Sequence, residues 1–534
     1  MVTSFGELVR RAAASRGASV AVVDAALRWT WAELDGIVTD LAAALAGRGL
    51  RPDDRIAIQA PTSAEFLACY LASLQAGLVV VPVNPSYLVA ELGHILDDSG
   101  ARMLVTSSVA VVADAERLRA HHPALEHIVV AARSGADGLP TVMELRATGR
   151  NAERVSRDRT GEDLAVLLYT SGTSGRPKGA MLPVRALLAN LAQLGELRPA
   201  PVTAADTLFL PLPLFHVFGL NAGLGLGLYF GATMVLSSRF DAAAGLQTMR
   251  DEAVTVVIGA PLEFALWAGQ PAFADGFAHV RFALSGSAPL PAELVGRYAE
   301  AGIPLYEGYG LTEAAPVITL NLVPGAVPER VPGADTAPAR VEPKAGSVGR
   351  PLPGVEVRLL DQDHEVVEAG DLGLLQVRGD NLFTGYWPDG ADGPDPAGWF
   401  STGDLAVADD DGDYYLVGRR SDLVLVNGFN VYPAEVEAVF SKLAGVREVA
   451  VLGEPDTGVA AAGEVIVAYV VPEVGASLDP GLLIAEAGNS LARFKLPKRI
   501  AVVPELPHTA TGKVMKWRLR AAGLSGGGTG APPR

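Results

Sequence analysis

The chain has 534 residues, of which 49% are hydrophobic and 19% are charged, and its formal net charge at pH 7 is -17. This composition is typical of a globular protein, and the length predicts roughly two to four domains. The excess of acidic residues argues against a nucleic-acid-binding surface, because a phosphate backbone requires clustered Lys and Arg.

The single cysteine and the distribution of apolar residues suggest where the protein resides. Cys69 lies in an apolar helical pattern, so an intrachain disulfide is excluded and a thiol catalyst is not expected. Residues 1–15 contain no uninterrupted apolar segment after their charges, which argues against a secretory signal. The longest uncharged run, 217–238, is interrupted by Asn and Gly and is interpreted as a buried helix followed by a strand. We therefore expect a cytoplasmic protein without a transmembrane segment.

Strands and helices alternate through the first part of the chain. A capping box at Thr30 and Glu33 begins a helix. The elements predicted after it are strand 55–59, helix 64–75, strand 79–83, helix 90–96 and strand 103–106. This alternation predicts parallel sheets covered by helices, an α/β fold.

The pattern changes near Ser421. Beyond it, short strands at 423–426, 448–452 and 465–470 alternate with helices at 434–443 and 482–492, which is typical of a small α+β domain. The Pro- and Gly-rich stretches 323–343 and 388–398 are predicted to be loops. We therefore predict a large N-terminal domain over 1–420, a small mobile C-terminal domain over 421–522, and a disordered tail over 523–534.

The segment 169–179, YTSGTSGRPKG, combines hydroxyls, glycines and a lysine. An apolar strand pattern over 164–169 precedes it and a helical pattern over 182–194 follows, so we predict a loop that joins a strand to a helix and binds an anion. Pro177 before Lys178 excludes the Walker A pattern, which has Gly at that position. A flexible surface turn is the alternative interpretation.

Four further segments follow this loop in order. They read LPLFHVFGL around His216, YEGYGLTEAAPV around Thr312 and Glu313, GWFSTGDLA around Asp404, and LPHTATGKVMKWRLR around Lys513. Together the five segments resemble the adenylate-forming, or AMP-binding, superfamily, most closely its bacterial fatty acyl-CoA synthetases, from about residue 5 to residue 520. The resemblance implies that ATP activates a carboxylic acid as an acyl-AMP, which then passes to coenzyme A.

The resemblance also implies roles for individual residues. Thr312 hydrogen-bonds the α-phosphate, and Glu313 holds Mg²⁺, a cation that prefers oxygen ligands. His216 borders the carboxylate pocket, and Lys513, on a Gly-containing loop, contacts both the carboxylate and the α-phosphate. The nucleotide ligands implied are Thr170, Ser171, Gly172, Thr173, Ser174, Gly175 and Lys178 for the phosphates, Ser287, Ala288, Pro289, Glu307, Gly308, Tyr309 and Gly310 for adenine, and Asp404 and Arg419 for ribose.

Several of these residues also have an ordinary structural interpretation. Glu313 is otherwise a solvated surface charge, and Tyr309 a buried core aromatic. Asp404 is otherwise a turn residue, and His216 a histidine satisfied within the core.

The second half-reaction requires a different arrangement of the small domain. The resemblance implies rotation about a hinge at Ser421, which places Gly428 and Phe429 on the coenzyme A side. The sequence departs from the family pattern at Val184, where many relatives have His, and at Leu374, where Glu is common. Neither departure affects the predicted phosphate, metal or lysine contacts.

The acid itself is expected to be an apolar one, most simply a medium- or long-chain fatty acid. The glycine-rich segment 219–227 is a candidate lining for an acyl tunnel. An aryl or other acid is an alternative substrate, and the phosphopantetheine of an acyl carrier protein is an alternative acceptor. A non-catalytic nucleotide-binding regulator is the alternative from another class.

Overall fold

The computed structural model describes residues 2–131, 138–170, 177–198, 200–322, 344, 346–426, 429–455, 464–509, 512–516 and 518–519. The described residues form a mixed α/β structure, as predicted. The strands are β1 (Val20–Asp24), β2 (Leu27–Thr30), β3 (Arg55–Gln59), β4 (Val79–Val83), β5 (Met103–Thr106), β6 (His127–Val130), β7 (Leu164–Thr170), β8 (Lys178–Pro183), β9 (Thr207–Leu210), β10 (Thr233–Leu236), β11 (Val256–Gly259), β12 (Phe282–Ser285), β13 (Leu305–Gly310), β14 (Val317–Leu320), β15 (Arg350–Pro351), β16 (Glu356–Leu360), β17 (Leu372–Arg378), β18 (Phe400–Ala408), β19 (Tyr414–Arg419), β20 (Val424–Val426), β21 (Phe429–Val431), β22 (Val446–Pro455), β23 (Glu464–Pro472) and β24 (Arg499–Val502).

Helices connect most of the parallel strands. The α-helices are α1 (Phe5–Arg16), α2 (Trp31–Gly47), α3 (Ala64–Gln75), α4 (Val89–Ser99), α5 (Val109–Ala113), α6 (Ala115–His121), α7 (Val142–Gly149), α8 (Val184–Glu196), α9 (Leu226–Phe230), α10 (Ala242–Asp251), α11 (Pro261–Ala268), α12 (Phe273–Gly276), α13 (Ala292–Glu300), α14 (Pro433–Phe440) and α15 (Pro480–Ala487). A π-helix covers Phe218–Gly225, and 3₁₀ helices cover Thr312–Ala314, Arg420–Asp422 and Arg493–Lys495. None of the helices within the described ranges has both the length and the apolar composition needed to cross a bilayer.

Two parallel-rich sheets carry the N-terminal part of the chain. The nine-stranded sheet has the order β15-β14-β13-β12-β11-β9-β10-β1-β2, with parallel pairs from β13 to β1 and antiparallel pairs at its edges. The six-stranded sheet has the order β6-β5-β3-β4-β7-β8, and its only antiparallel pair among the described strands is β7–β8. In α/β sheets of this kind, ligand sites lie at the carboxyl ends of the strands.

The core confirms the predicted burial. The strands β3, β4 and β5 are almost completely buried, as expected for parallel strands covered by helices on both faces. The predicted capping box at Thr30 and Glu33 is present at the start of α2. Several predicted elements begin or end within a few residues of the observed ones, for example α14 and α15.

The described chain divides into two compact units. The first contains residues 1–357 and 377–400, and the second contains 358–376 and 401–534. The second unit includes most of the four-stranded sheet β16-β17-β18-β19, together with the β20–β21 pair and the sheet β22-β23-β24. It therefore begins earlier than the boundary that the sequence pattern predicts at residue 421.

Strand pairing explains this difference. The backbone N–H of Gly370 donates to the carbonyl of Ala408 over 2.8 Å, and the Thr402 hydroxyl donates to the carbonyl of Leu375 over 2.9 Å. These bonds attach residues 401–419 to 358–376, which no change of composition marks in the sequence. The role of Ser421 as a hinge stays a prediction, and the predicted loop 323–343 and tail 523–534 fall outside the described residues.

Candidate functional site

The predicted phosphate loop connects two strands. Thr170, at the end of β7, pairs in antiparallel register with Lys178, at the start of β8. The prediction of a strand-to-helix loop is therefore wrong, because β8 intervenes and α8 begins only at Val184. The helix-like spacing of apolar residues after position 181 concealed this short strand. The positions between the two strands, Ser171 to Gly175, lie outside the described residues.

Lys178 lies beside the segment 383–387, which runs along β8. The Trp387 N–H donates to the Gly179 carbonyl over 2.8 Å, and the Met181 N–H donates to the Gly385 carbonyl over 3.0 Å. This extended segment therefore fixes the edge of the hairpin that carries the lysine.

The Lys178 ammonium has one neighbour on this segment and another shortly after it. Its Nζ lies 2.9 Å from Oδ2 of Asp392 and 5.3 Å from the centroid of the Tyr386 ring. The Lys178 side chain is 46% exposed, so its charge remains accessible to a dissolved anion. A lysine in this position supplies a point charge to a phosphate.

Thr312 and Glu313 form the start of a 3₁₀ helix directly after β13. Thr312 is 8% exposed, and Glu313 is partly buried. The Tyr386 hydroxyl donates to Oε1 of Glu313, and the Phe383 N–H donates to the Glu313 carbonyl over 2.8 Å. Tyr386 therefore contacts Glu313 through its hydroxyl and Lys178 through its ring.

Tyr386 and Asp392 were missed in the sequence. Asp392 lies in the predicted loop 388–398, Tyr386 lies just before it, and neither belongs to any of the five segments. Their contacts depend on the pairing of residues 383–387 with β8, which has no local signal.

The donor set around Glu313 fits a magnesium ion that is shared with ATP. Mg²⁺ is commonly bound by one or two carboxylates together with substrate phosphates. Glu313 supplies one carboxylate next to the Thr312 hydroxyl. Within the described ranges, no group of three or more His, Cys, Asp or Glu side chains is placed to hold a metal ion by itself.

The two segments implied for adenine lie on adjacent strands. Ser285, the last residue of β12, pairs in parallel register with Glu307 of β13. Gly286 to Pro289 therefore follow β12 at the end of the sheet where the last residues of β13, Gly308 to Gly310, also lie, and Ser287 has φ of 73°. Tyr309 is 8% exposed, so it is largely enclosed in this structure.

Glycine at position 310 is required by a close backbone approach. A Cβ atom at Gly310 would lie 1.9 Å from the Pro316 carbonyl oxygen. Glycine thus lets the chain fold back immediately after Tyr309, which brings Thr312 and Glu313 next to the predicted adenine segment.

Glu307 is a buried carboxyl group behind this segment. It is 7% exposed, and its Oε1 accepts a hydrogen bond from the Leu290 N–H over 3.0 Å. Burial raises the pKa of Glu307 from 4.5 to about 7, although the hydrogen bond from Leu290 opposes the change.

His216 precedes the π-helix in the same unit. Its Nδ1 accepts from the Phe218 N–H over 3.3 Å, and its carbonyl accepts from the Leu220 N–H over 2.9 Å. The predicted helix and strand follow as the π-helix, α9 and β10. π-Helical turns are frequent at functional sites.

The glycines after His216 do not support the expected acyl tunnel. A Cβ atom at Gly219 would lie 2.4 Å from the Pro213 carbonyl oxygen, and one at Gly227 would lie 2.5 Å from Cγ of Met234. These glycines allow the helix to pack closely against its neighbours, and a side chain has no space there. The glycine pattern is therefore a packing feature and gives no preference for a long acyl chain.

Asp404 and Arg419, the predicted ribose ligands, are neighbours in the second unit. They face each other across β18 and β19, with 2.9 Å between Nε of Arg419 and Oδ1 of Asp404. Asp404 is 7% exposed, and its N–H donates to the Thr402 hydroxyl over 3.1 Å. Asp404 therefore lies in a strand and not in a turn, the alternative interpretation from the sequence.

Lys513 lies on a turn of the same unit. Its N–H donates to Oγ1 of Thr509 over 3.1 Å, and the Thr509 N–H donates to the Lys513 carbonyl over 2.8 Å. Lys513 is exposed to solvent, but desolvation of its ammonium group by the surrounding protein, followed by the nearby Arg419 guanidinium, lowers its pKa, while Asp404 and Asp422 act in the opposite direction. The predicted lysine and the predicted ribose ligands are therefore electrostatic neighbours.

The remaining predicted positions are described only in part. Ser421 is exposed on the 3₁₀ helix after β19. Phe429 begins β21, and Gly428 lies outside the described residues. Of the two departures from the family pattern, Val184 is buried at the first position of α8 and Leu374 is partly buried on β17.

The chain is similar to known proteins over nearly its full length. Residues 9–387 match the family described as AMP-binding enzyme, and residues 435–513 match the AMP-binding enzyme C-terminal domain. A feruloyl-CoA synthase from Amycolatopsis sp is 35% identical over 516 residues, covering 96% of this chain and 97% of that protein. A long-chain-fatty-acid–CoA ligase from Salmonella typhimurium is 31% identical over 505 residues, covering 89% and 86%. ATP-bound MatB from Rhodopseudomonas palustris is structurally similar, with a TM-score of 0.85, 31% identity and coverage of 98% and 99%.

Replacement of Glu307 by Gln should change how stability depends on pH. An acid whose pKa is higher in the folded state loses stabilisation as the pH rises from 4.5 to about 7. Glu307→Gln removes this loss. Above pH 7 the free energy of unfolding of the variant should therefore increase relative to that of the wild type, by up to roughly 3 kcal/mol. Thermal unfolding at pH 5 and pH 8 measures the difference.

The matched control for this experiment is Glu116→Gln, at an exposed helix position. The Glu116→Gln variant should follow the wild type at both pH values. Equal melting-temperature differences at pH 5 and pH 8 for Glu307→Gln would contradict the assignment.

Replacement of Tyr386 by Phe should weaken the binding of Mg²⁺-ATP. The variant keeps the ring beside Lys178 but removes the hydroxyl that orients the Glu313 carboxylate. Loss of a partner that orients a metal ligand costs roughly 10–100-fold in metal affinity. Calorimetric titration with ATP at several Mg²⁺ concentrations measures this. The control is Tyr229→Phe, because the ring of Tyr229 contacts Phe230. This variant should bind Mg²⁺-ATP as the wild type does.

Proposed function

Because the chain belongs to the AMP-binding enzyme family and is an AMP-forming acid–CoA ligase, we propose that it activates an apolar carboxylic acid, with a fatty acid as the first candidate. The acid reacts with ATP to give an acyl-AMP and pyrophosphate. The thiol of coenzyme A then attacks the acyl carbon, which releases AMP and leaves the acyl-CoA thioester.

The first step answers a chemical difficulty. A free carboxylate is a poor electrophile, because attack on it adds negative charge to an anion and expels a very basic oxide. Transfer of AMP to the carboxylate oxygen replaces that oxide by a stable leaving group. The protein must then stabilise charge on the α-phosphate and on the departing pyrophosphate.

The observation that carries this proposal is the connected set of Lys178, Tyr386, Glu313 and Thr312 in the first unit. The Tyr386 side chain contacts both Lys178 and Glu313, and Thr312 precedes Glu313 in the chain. In the proposed mechanism, Lys178 binds the β- and γ-phosphates and Thr312 donates to the α-phosphate. Glu313 would hold Mg²⁺, which supplies charge neutralisation for the phosphates when it is bound.

The remaining proposed contacts divide between the nucleotide and the acid. Tyr309 is proposed to contact adenine. Asp404 and Arg419 are proposed to bind the ribose hydroxyls, because a carboxylate accepts from both of them. His216 is proposed to border the acid, and Lys513 is proposed to contact the acid carboxylate and the α-phosphate during adenylation.

A ring-bearing acid is the second candidate substrate. The close packing of Gly219 and Gly227 removes the argument for a long acyl tunnel along that segment. Among the relatives, the feruloyl-CoA synthase and an indoleacetate–CoA ligase from Aromatoleum aromaticum, at 35% and 32% identity, carry the names of ring-bearing acids. Both candidates are apolar monocarboxylic acids. They differ in the shape of the pocket that they require.

A panel of acids separates these substrates. We expect acid-dependent release of pyrophosphate from ATP with at least one acid from octanoate, dodecanoate, palmitate, ferulate and indole-3-acetate. Values of kcat/KM at least roughly tenfold higher for the fatty acids would support the first candidate, since each buried methylene adds affinity. Higher values for ferulate or indole-3-acetate would select the second candidate. Absence of acid-dependent pyrophosphate release with every apolar acid would contradict the proposal.

The acceptor is tested with the same acids. With free coenzyme A as the acceptor, the acyl-CoA thioester should accumulate. A holo-acyl carrier protein should not be needed for thioester formation. Thioester formation on the carrier protein alone would select the alternative acceptor. AMP release that depends on the acid would also exclude a non-catalytic nucleotide-binding regulator.

Replacement of Lys513 by Ala should abolish ATP–pyrophosphate exchange while ATP binding is retained. Removal of one charged donor from an enclosed site reduces the rate roughly 100- to 1000-fold. Exchange of labelled pyrophosphate measures the reaction, and calorimetry measures ATP binding. The control is Lys495→Ala, because Lys495 is a lysine of the same unit whose Nζ contacts Glu435 over 2.6 Å. Near-normal exchange by Lys513→Ala would reject the role of Lys513.

A further inference from the structure

Three asparagine side chains are almost completely buried in the first unit. Asn190 is 0% exposed, and Asn221 and Asn381 are each 1% exposed. They come from α8, from the π-helix and from the residues after β17, which are far apart in the sequence. Nδ2 of each asparagine donates to a backbone carbonyl, which fixes the orientation of its amide group.

The three side chains converge on one short stretch of backbone, 314–317, which follows Glu313. Nδ2 of Asn381 donates to the Ala314 carbonyl over 2.8 Å. Nδ2 of Asn221 donates to the Ala315 carbonyl over 2.7 Å.

The third amide contacts the end of this stretch twice. Nδ2 of Asn190 donates to the Val317 carbonyl over 2.7 Å, and Oδ1 of Asn190 accepts from the Val317 N–H over 3.1 Å. Gln193 lies between two of the asparagines, since Asn190 donates to its Oε1 over 3.3 Å and its Nε2 donates to Oδ1 of Asn381 over 3.4 Å.

The stretch that they hold has an unfavourable backbone conformation. Ala315 has φ of 59°, in the left-handed region that side chains other than Gly rarely adopt. Such a conformation persists only when surrounding contacts determine it, and it occurs often where a chain presents functional groups. The residues presented immediately before it are Thr312 and Glu313.

We propose that Asn190, Asn221 and Asn381 are positioning residues for adenylation, which fix Thr312 and Glu313 through the backbone that follows them. This inference rests on the proposed function of Thr312 and Glu313. The hydrogen bonds of the three amides go to backbone groups and to the Gln193 side chain, so we assign them an action through the segment and not on the substrate. Loosening one of them should misplace both groups together.

The test replaces a donating amide by a carboxylate of the same size. In Asn381→Asp and Asn221→Asp, an oxygen faces a backbone carbonyl where Nδ2 donated before. We expect kcat/KM for ATP–pyrophosphate exchange to fall about 100-fold, as for a small misplacement of reacting groups. The KM for Mg²⁺-ATP should rise, whereas the KM for the acid should remain within about twofold of the wild type.

Gln75→Glu is the matched control. Gln75 is 4% exposed in the same unit, and its Nε2 donates to the Val155 carbonyl over 3.2 Å. The change therefore places a carboxylate against a backbone carbonyl in a segment with no predicted ligand. We expect it to lower the melting temperature and to leave the KM for Mg²⁺-ATP unchanged.

A second measurement does not depend on turnover. Hydrogen exchange of peptides that cover 311–318 should be faster in both asparagine variants, while peptides from the rest of the first unit keep wild-type rates. Asn381→Ser and Asn221→Ser, which leave room for a water, serve if the Asp variants do not fold.

The outcomes that overturn the inference are specific. Folded variants with wild-type KM for Mg²⁺-ATP would reject it, as would an equal shift in the Gln75→Glu control. Failure of the Ser variants to fold would assign the asparagines to stability alone. Absence of any acid-dependent pyrophosphate release in the wild type would instead reject the proposed function, and ATP binding and hydrogen exchange would still report on the asparagines.

Discussion

Buried hydrogen bonds to a few backbone groups after Glu313 are the constraint on which the first unit's candidate site depends. An amide–carbonyl bond contributes only about 1 kcal/mol net, but a buried carbonyl left without a donor costs about 1–3 kcal/mol. Three of the four carbonyls from 314 to 317 accept from side-chain amides here, so the conformation of this stretch depends on residues that are distant in the sequence. Nearby, the Tyr386 hydroxyl and the Phe383 N–H hold Glu313 itself.

This constraint connects the two halves of the proposed chemistry. Tyr309, which is predicted to contact adenine, lies near the end of β13. After it the chain reverses direction, with Gly310 close to the Pro316 carbonyl. Thr312 and Glu313 follow within one turn. The contacts proposed for the base, the α-phosphate and the metal therefore lie on a single continuous piece of chain, whose geometry is set by packing behind it.

Much of the fold could be predicted from the sequence because it depends on local periodicity. The strands β3, β4 and β5 and the helices α2 and α3 have the expected positions, since their apolar residues repeat with the period of the element. The family, the two-part α/β architecture and the ligase activity follow from five segments in fixed order. Each of those segments carries its signal within about fifteen residues.

The features that escaped prediction depend on contacts between distant residues. β8 is short and its apolar residues also match a helix, so only its pairing with β7 identifies it. Tyr386 and Asp392 reach Lys178 because 383–387 runs along β8. The grouping of 358–376 with 401–419 likewise follows from sheet formation and not from composition. The glycines near 219 pack closely against their neighbours and so do not support a tunnel there, because close packing and an open channel produce the same sequence pattern.

The ion pair between Lys178 and Asp392 has a consequence for how a triphosphate arrives. Both side chains are substantially exposed, at 46% and 68%, and an exposed pair of this kind contributes little to stability. Asp392 therefore pairs with the ammonium group without holding it tightly, and under the proposed function the several oxygens of an incoming polyphosphate would displace this single carboxylate. In the proposed mechanism, the Lys178 ammonium would exchange Asp392 for the phosphates while it lies near the Tyr386 ring, so capture of the nucleotide would replace one partner of the lysine by another.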